Sequence, residues 1–437
     1  MFSFLSKTFL KRKREPVVCP RQEHCISRRN IDPDALKVLY RLSNLGYTAY
    51  LVGGGVRDLL MGREPKDFDV GTSARPNEVK RAFHSCYLVG RRFRLAHVRF
   101  GEKVIETATF RRNAQSVGDI IEHASEGPLE DNCWGTPETD AFRRDFTVNG
   151  LFYDIRTFAV IDWVGGLDDL RRKLIRSIGD PMIRFREDPV RMMRAIRFSC
   201  KLGFSIEKGT DKAMRKLHEC ITSASVPRLC EEVLRLFTCR ASCKAFRMMW
   251  EYGLLGDLVP ELGAFIDMDG GAESETWRFL AALDDYEKTA GELDNAVRVA
   301  VLLYALSRTA GARTAADSMA RSLKIPRVLY FTSVALMESA KRISASTPHA
   351  RRRWAFSRNA ADILAFNRIV ARAQGQSEAV LDEIEKCAAE GAAAGSVPAA
   401  PPPRRRRSRR RSHRTGISNT NGETQEAAPE YEQGTQQ

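Results

Sequence analysis

Apolar positions along this chain keep two rhythms. Up to about residue 164, short apolar runs alternate with turn-forming residues, which predicts strands at 48–53, 68–70, 86–89, 94–100 and 103–110. Asp32-Pro33 opens a helix with a cap residue and a proline at its first position, and Leu36, Leu39, Tyr40 and Leu42 form its apolar face. A short helix starts near Pro76, and a longer one is predicted from Pro137 through Tyr153. A strand from Phe158 to Trp163, a Gly165-Gly166 turn and Leu174 to Ile178 follow. Beyond Asp180-Pro181, apolar spacings of three and four take over: Leu229, Val233, Leu234, Leu236 and Phe237, then Phe246, Met249 and Trp250, later Val297 to Leu306. Asp188 reads as the cap and Pro189 as the first residue of a helix that Gly203 terminates. The pattern is that of an α+β protein. A small mixed-sheet head (31–165) precedes an all-helical neck (166–225) and body (226–390).

Three stretches lack either rhythm. Residues 112–136 read as a mobile loop of a length that is usually functional. Residues 1–30 read as a basic, disordered leader, whose first part, Met1 to Arg14, is either a solvated arm or a short amphipathic contact for anionic lipid. From 391 to 437, Ala, Pro, Ser and Gln surround an arginine block, and the segment is predicted to be disordered.

Charge narrows the class. The 437 residues carry a formal net charge of +15, which points to a polyanionic partner, nucleic acid before an acidic membrane surface. Arg404 to Arg414 holds eight arginines, and without them the chain is still at +7. The ten cysteines are scattered without a CxxC pair, and Cys19, His24 and Cys25 are too few partners for a zinc site. These features predict a reduced, cytoplasmic protein without a structural metal. No stretch approaches the ~18 apolar residues that a membrane span needs.

The chemistry concentrates at Leu51-Val52-Gly53-Gly54-Gly55-Val56-Arg57-Asp58 and Lys66-Asp67-Phe68-Asp69-Val70. On a strand, Asp67 and Asp69 project from one face, their attachment points about 6–7 Å apart. Such a pair suits magnesium, which is usually held by one or two carboxylates plus substrate phosphates. The glycines upstream let backbone amides approach a triphosphate. Glu106, on the strand that ends at Phe110, is either a third acidic group for the same site or a solvent-facing strand residue. Arg143, Arg144, Asp145 and Asn149 crowd onto the helix predicted there, with Asp145 and Asn149 four apart on one face. Arg191, Arg194 and Arg197 recur every third residue on the helix after Asp188, a spacing that capping does not explain.

Together, LVGGGVRDLLMGREPKDFDVGT, RRDFTVNGLFYD and FREDPVRMMRAIRFSCKLGF resemble the three best markers of the class II nucleotidyltransferases, which include CCA-adding enzymes and bacterial poly(A) polymerases. The resemblance covers roughly residues 25–265. Ile26-Ser27-Arg28 through Leu42, and Leu88 through Val98, make the chain more similar to the poly(A) polymerases, as does the arginine-rich tail. The resemblance implies a head like the palm of DNA polymerase beta. It implies Asp67 and Asp69 as metal-binding catalytic aspartates and Asp145 as a further active-site acid. It also implies Gly54, Gly55 and Arg57 on the triphosphate, Asp188 and Arg191 on the base, and Arg144 and Asn149 near sugar and phosphates.

The reaction so implied is template-independent transfer of AMP from ATP to RNA 3′ ends, using Mg2+ with Mn2+ as a substitute. The arginine block would add RNA contacts without sequence preference, and the leader would supply any membrane contact. A CCA-adding enzyme shares the head and the metal chemistry. An inactive RNA-binding homologue has no need for two unneutralised carboxylates beside RNA. A nucleotidyltransferase acting on a protein or small molecule has no need for the basic tail.

Overall fold

The computed structural model describes residues 15–90, 94–112, 134–344, 346–357 and 359–393. Met1 to Arg14, most of the 112–136 segment and the arginine block lie outside them. Eight strands form one mixed sheet: β1 (Val17–Cys19), β2 (Ala49–Val52), β3 (Asp69–Thr72), β4 (Cys86–Val89), β5 (Leu95–Phe100), β6 (Lys103–Thr109), β7 (Leu151–Asp154) and β8 (Ala159–Asp162). Their order is β1-β8-β7-β2-β3-β6-β5-β4, with β3 and β6 parallel and the other pairs antiparallel.

Alternation along the strands divides the sheet into two faces. Leu51, Val70 and Tyr153 stand in one row, pointing at the apolar side of α1 (Pro33–Asn44), where Ala35, Val38, Leu39 and Leu42 close the core of the head. Asp32 caps that helix through the amides of Asp34 and Ala35, as the sequence predicts. The next row, Val52, Asp69 and Phe152, points the other way. There a smaller cluster of Val52, Phe110, Ala141 and Phe152 leaves room for a cleft.

Three expectations need correction. Residues 17–30 are not disordered: Val17 to Cys19 pair with Val160 to Asp162, and short turns over 21–23 and 28–30 lead into α1. The sheet therefore begins before residue 31. The predicted helix from Pro137 through Tyr153 is broken. It ends at Arg143, the chain extends so that Phe146 bridges Ser177, a single 3-10 turn covers Thr147 to Asn149, and β7 follows. Side chains that bond locally compete with the helix here: the Phe146 amide donates to Asp145 Oδ1 at 2.8 Å, and β-branched Thr147 and Val148 add nothing to helicity. Finally, Asp188 is not an N-cap. It ends the helix Pro181–Glu187, and the helix Val190–Leu202 starts from Pro189 with no side-chain cap.

Helices continue from Lys208 to Ala393, as the spacing of apolar residues predicts. One core runs without interruption from Phe146 and Val148 through Ile196 and Leu236 to Leu303 and Phe366, so neck and body are fused across residue 225. A small separate cluster around Ile343, Leu381 and Ile384 closes the C-terminal helices. No helix among the described residues is long and apolar enough to cross a membrane, and the described cysteines are free.

The joint between head and neck depends on close backbone approach. A Cβ on Gly166 would lie 2.2 Å from the Thr147 carbonyl oxygen. Gly166→Ala therefore forces the 147–149 turn or the helix Gly166–Arg172 to shift, and stability falls by about 1–3 kcal/mol. A urea denaturation curve reads this directly, and an unchanged midpoint contradicts the packing described.

Candidate active site

A cleft of about 520 Å³ opens between the head and the neck, lined by nine Lys or Arg and five Asp side chains. Its floor is the junction of β2 with α2 (Gly54–Leu60). Gly53 takes φ +73°, and a Cβ there would lie 2.7 Å from the Arg144 guanidinium, so this glycine permits the turn. Gly54 begins the helix. A Cβ on Gly55 would sit 3.3 Å from the Asp67 carbonyl oxygen, which packs the glycine loop against the segment bearing the aspartates.

Asp67 precedes β3 and Asp69 opens it, and both line the cleft. Neither forms an ion pair or side-chain hydrogen bond among the described residues. Burial pushes the Asp69 carboxyl up to about 6, the charges of Glu106 and Asp67 add to this, and Arg144 opposes it. Glu106 stands on the strand next to β3, exposed and 3.8 Å from His97, outside the residues that line the cleft but close enough to act on Asp69. Two carboxylates with no cation of their own are a donor set for a hard divalent metal. No cluster of three ligating side chains exists among the described residues. The site therefore fits an ion that takes the rest of its shell from phosphate and water.

The other acids are satisfied from within the protein. Asp145 lies in the wall of the cleft, largely buried. Its Oδ1 accepts from the Phe146 amide and from Asn149 Nδ2 at 3.1 Å, and its Oδ2 accepts Nε and Nη2 of Arg194 at 2.9 and 2.5 Å. Burial opposes its charge, but Arg194 and these donors hold it below the usual carboxylate range. Asn149 Oδ1 in turn accepts Nη1 of buried Arg57 at 2.5 Å, and Arg57 Nε donates to Asp58 at 2.8 Å. Asp145 and Asn149 thus meet, across a turn rather than along a helix.

Asp188 differs. Its Oδ2 accepts Nη2 of Arg228 at 2.8 Å, while its Oδ1 is buried in the cleft wall without a partner. Arg191 lies 3.8 Å away and donates to the Arg184 carbonyl at 3.3 Å. A buried acceptor without a hydrogen-bond partner thus stands beside an arginine in the cleft wall.

Several residues escape sequence reading. Asp140, buried under the charges of Arg144 and Arg143, holds both guanidiniums and stays ionised because of them. Arg184 Nη2 ties the neck to the head through the carbonyls of Arg143 and Arg144 at 2.7 and 2.9 Å. Glu232 neutralises Arg197 and lies 4.0 Å from Arg194. The third-residue spacing of arginines was a signal, but the partners of Arg194 and Arg197 lie 49 and 35 residues away.

Residues 49–176 match the family described as Poly A polymerase head domain, and residues 203–266 match Probable RNA and SrmB-binding site of polymerase A. The chain is 44% identical over 286 residues to poly(A) polymerase I of Salmonella typhi, covering 64% of this chain and 61% of that one. It is 37% identical over 227 residues to the CCA-adding enzyme of Lactobacillus helveticus, covering 52% and 55%. The chain thus spans about three fifths of the length of the curated relatives it matches. The Bacillus stearothermophilus CCA-adding enzyme in complex with CTP superposes with a TM-score of 0.66 at 27% identity over 84% of each chain.

The raised Asp69 carboxyl makes a measurable prediction. Its folded value exceeds the ordinary 3.8, so folding favours the neutral form, and stability drains away as pH climbs from about 4 through about 6. Asp69→Asn should therefore raise stability at pH 7.5 by about 1–3 kcal/mol in EDTA, and the gain should vanish below about pH 4. Mg2+ should raise the melting temperature of the unchanged protein more than that of the variant. Melting curves across pH, with and without Mg2+, test this. A variant less stable at pH 7.5 contradicts it.

Proposed function

We infer that this chain, which is similar to poly(A) polymerases and CCA-adding enzymes, is a template-independent polynucleotide adenylyltransferase that adds AMP from ATP to RNA 3′ ends and releases pyrophosphate. The observation that carries the chemistry is the unneutralised pair Asp67 and Asp69 inside a cleft otherwise rich in arginine and lysine. The higher identity to a poly(A) polymerase, 44% against 37%, favours ATP alone over CTP followed by ATP.

Asp67 and Asp69 would hold the metal, magnesium or manganese in its place, and that ion would supply activation of the RNA hydroxyl and neutralisation of charge on the triphosphate and the leaving pyrophosphate. The amides at Gly54 and Gly55 and the guanidinium of Arg57 cradle phosphates, with Arg144 close to the sugar and phosphates. Glu106 is a third acid at the margin of this set. Asp145 does not reach the metal in this reading, because all its acceptor sites are engaged. It is a positioning residue that holds Arg194 and, through Asn149, Arg57. Asp188 Oδ1 accepts from the exocyclic amine of the base and Arg191 donates to the ring. An adenine and a cytosine each offer such a pattern, so the CCA-adding reading remains the second one.

The RNA strand leaves the cleft over the neck and body. The arginine block adds sequence-independent affinity and a steeper salt dependence. The free cysteines accord with a cytoplasmic setting, and a peripheral membrane contact is assigned to the leader.

Extension of a labelled RNA with Mg2+ and one nucleotide at a time tests the function. ATP alone should give a ladder of many additions, and Asp67→Asn or Asp69→Asn should lower it at least about 10³-fold in folded protein. Two CTP additions and one ATP addition on a tRNA lacking its end would establish a CCA-adding enzyme instead. Absence of extension with every nucleotide would overturn both readings.

A further inference from the structure

The face of the sheet turned away from the cleft carries a second cavity, of about 570 Å³, whose walls share no residue with the first. Arg21, Arg28 and Arg29 come from the segment before α1, Tyr40 from α1, Tyr153 from β7 and Phe158 from the turn into β8. Tyr153 stands in the Leu51 and Val70 row, opposite to the Asp69 row, which places the cavity behind the catalytic face.

Phe158 adopts φ +56°, left-handed backbone that a bulky side chain rarely takes and that Asn or Gly at a turn adopts freely. Residues held this way cluster at ligand clamps. The strained backbone aims the ring: its centroid lies 4.7 Å beneath the Arg28 guanidinium, and His24 Nε2 lies 2.9 Å from the Phe158 carbonyl oxygen. Arg28 Nη1 also donates to the Tyr40 hydroxyl at 2.9 Å. One guanidinium is thus held over an aromatic ring, with the hydroxyl of a second aromatic residue bonded to it. Arg21 donates to the His24 carbonyl. Among the described residues none of the three arginines forms an ion pair with a carboxylate, so three cations face the cavity unneutralised.

Planar cation, aromatic walls and unpaired guanidiniums are what a nucleotide requires. Bases stack on aromatic and guanidinium planes, and the arginine fork matches phosphate oxygens. We propose that this cavity is a second nucleotide-binding site, separate from the catalytic cleft, with a base against the Arg28–Phe158 stack and Tyr40 and a phosphate on Arg21 and Arg29. Its occupant is one nucleotide unit, either free or part of an RNA strand.

Photolabelling of the full-length protein in EDTA tests this, using 8-azidoadenosine 5′-monophosphate and a short single-stranded oligoadenylate carrying 8-azidoadenine. Adducts are mapped by mass spectrometry. At least one probe should label peptides containing Tyr40, Tyr153 or Phe158 in a saturable manner. Phe158→Asn and Arg28→Ala should each lower that labelling at least ten-fold. Because Asn accommodates the left-handed backbone, Phe158→Asn should melt no lower than the unchanged protein, which separates lost binding from lost folding. Labelling by the monophosphate marks a free nucleotide as ligand, and labelling by the oligonucleotide alone marks a passing strand. Adducts confined to cleft peptides, or unaffected by both substitutions, overturn the proposal. The readout does not require AMP transfer, so it stands apart from the outcome of the extension assay.

Discussion

The ion pair between Asp145 and Arg194 is the constraint on which the cleft depends. It crosses from the head–neck joint to the helix Val190–Leu202, with the Asp145 side chain 11% exposed and that of Arg194 28% exposed toward the cleft. Taking two charges out of water is costly unless every remaining acceptor and donor is used. The acceptors of Asp145 are used: Asn149 and the Phe146 amide fill them beside Arg194, Glu232 lies 4.0 Å from Arg194, and Asn149 passes the connection on to Arg57. The chain Arg57–Asn149–Asp145–Arg194–Glu232–Arg197 thus runs from the glycine loop to the helix Val226–Phe237. Head, neck and body are registered to one another by charge inside a core that is otherwise apolar.

That network explains a division of labour among the acids. Asp140, Asp145 and Glu232 each have arginine partners and hold cations in place. Asp67 and Asp69 have none, and the surroundings of Asp69 disfavour its charge. The other acids that line the cleft, Asp58, Asp145 and Asp188, have arginine partners, so the electrostatic demand concentrates at Asp67 and Asp69, where the proposed divalent ion and triphosphate would satisfy it. Asp188 carries the same logic for hydrogen bonding, with one oxygen anchored by Arg228 and the other left open.

Local chemistry was legible in the sequence, and distant pairing was not. Gly53 to Arg57 and Asp67-x-Asp69 act through neighbours in the chain, so their spacing placed a turn, a helix start and two carboxylates lining one cleft, although Asp67 precedes the strand that Asp69 opens. The Asp32 cap and the strand alternation were readable for the same reason. The helix expected through Tyr153 failed because the Asp145 carbonyl accepts from the Ile178 amide and the Thr147 amide donates to the Arg176 carbonyl, pairings some thirty residues apart that periodicity does not register. Asp188 followed a cap-and-proline pattern but was claimed by Arg228, 40 residues away. The strand Val17–Cys19 is three residues long and exists only because β8 offers it an edge.

Crystals grown with Mn2+ and a non-hydrolysable ATP analogue would test the central claim directly, through the anomalous signal of the metal. The account predicts manganese at Asp67 and Asp69, with the triphosphate against Gly54, Gly55 and Arg57 and Asp145 still paired to Arg194. Manganese bound at Asp145, or a triphosphate lodged away from the glycine turn, would contradict it.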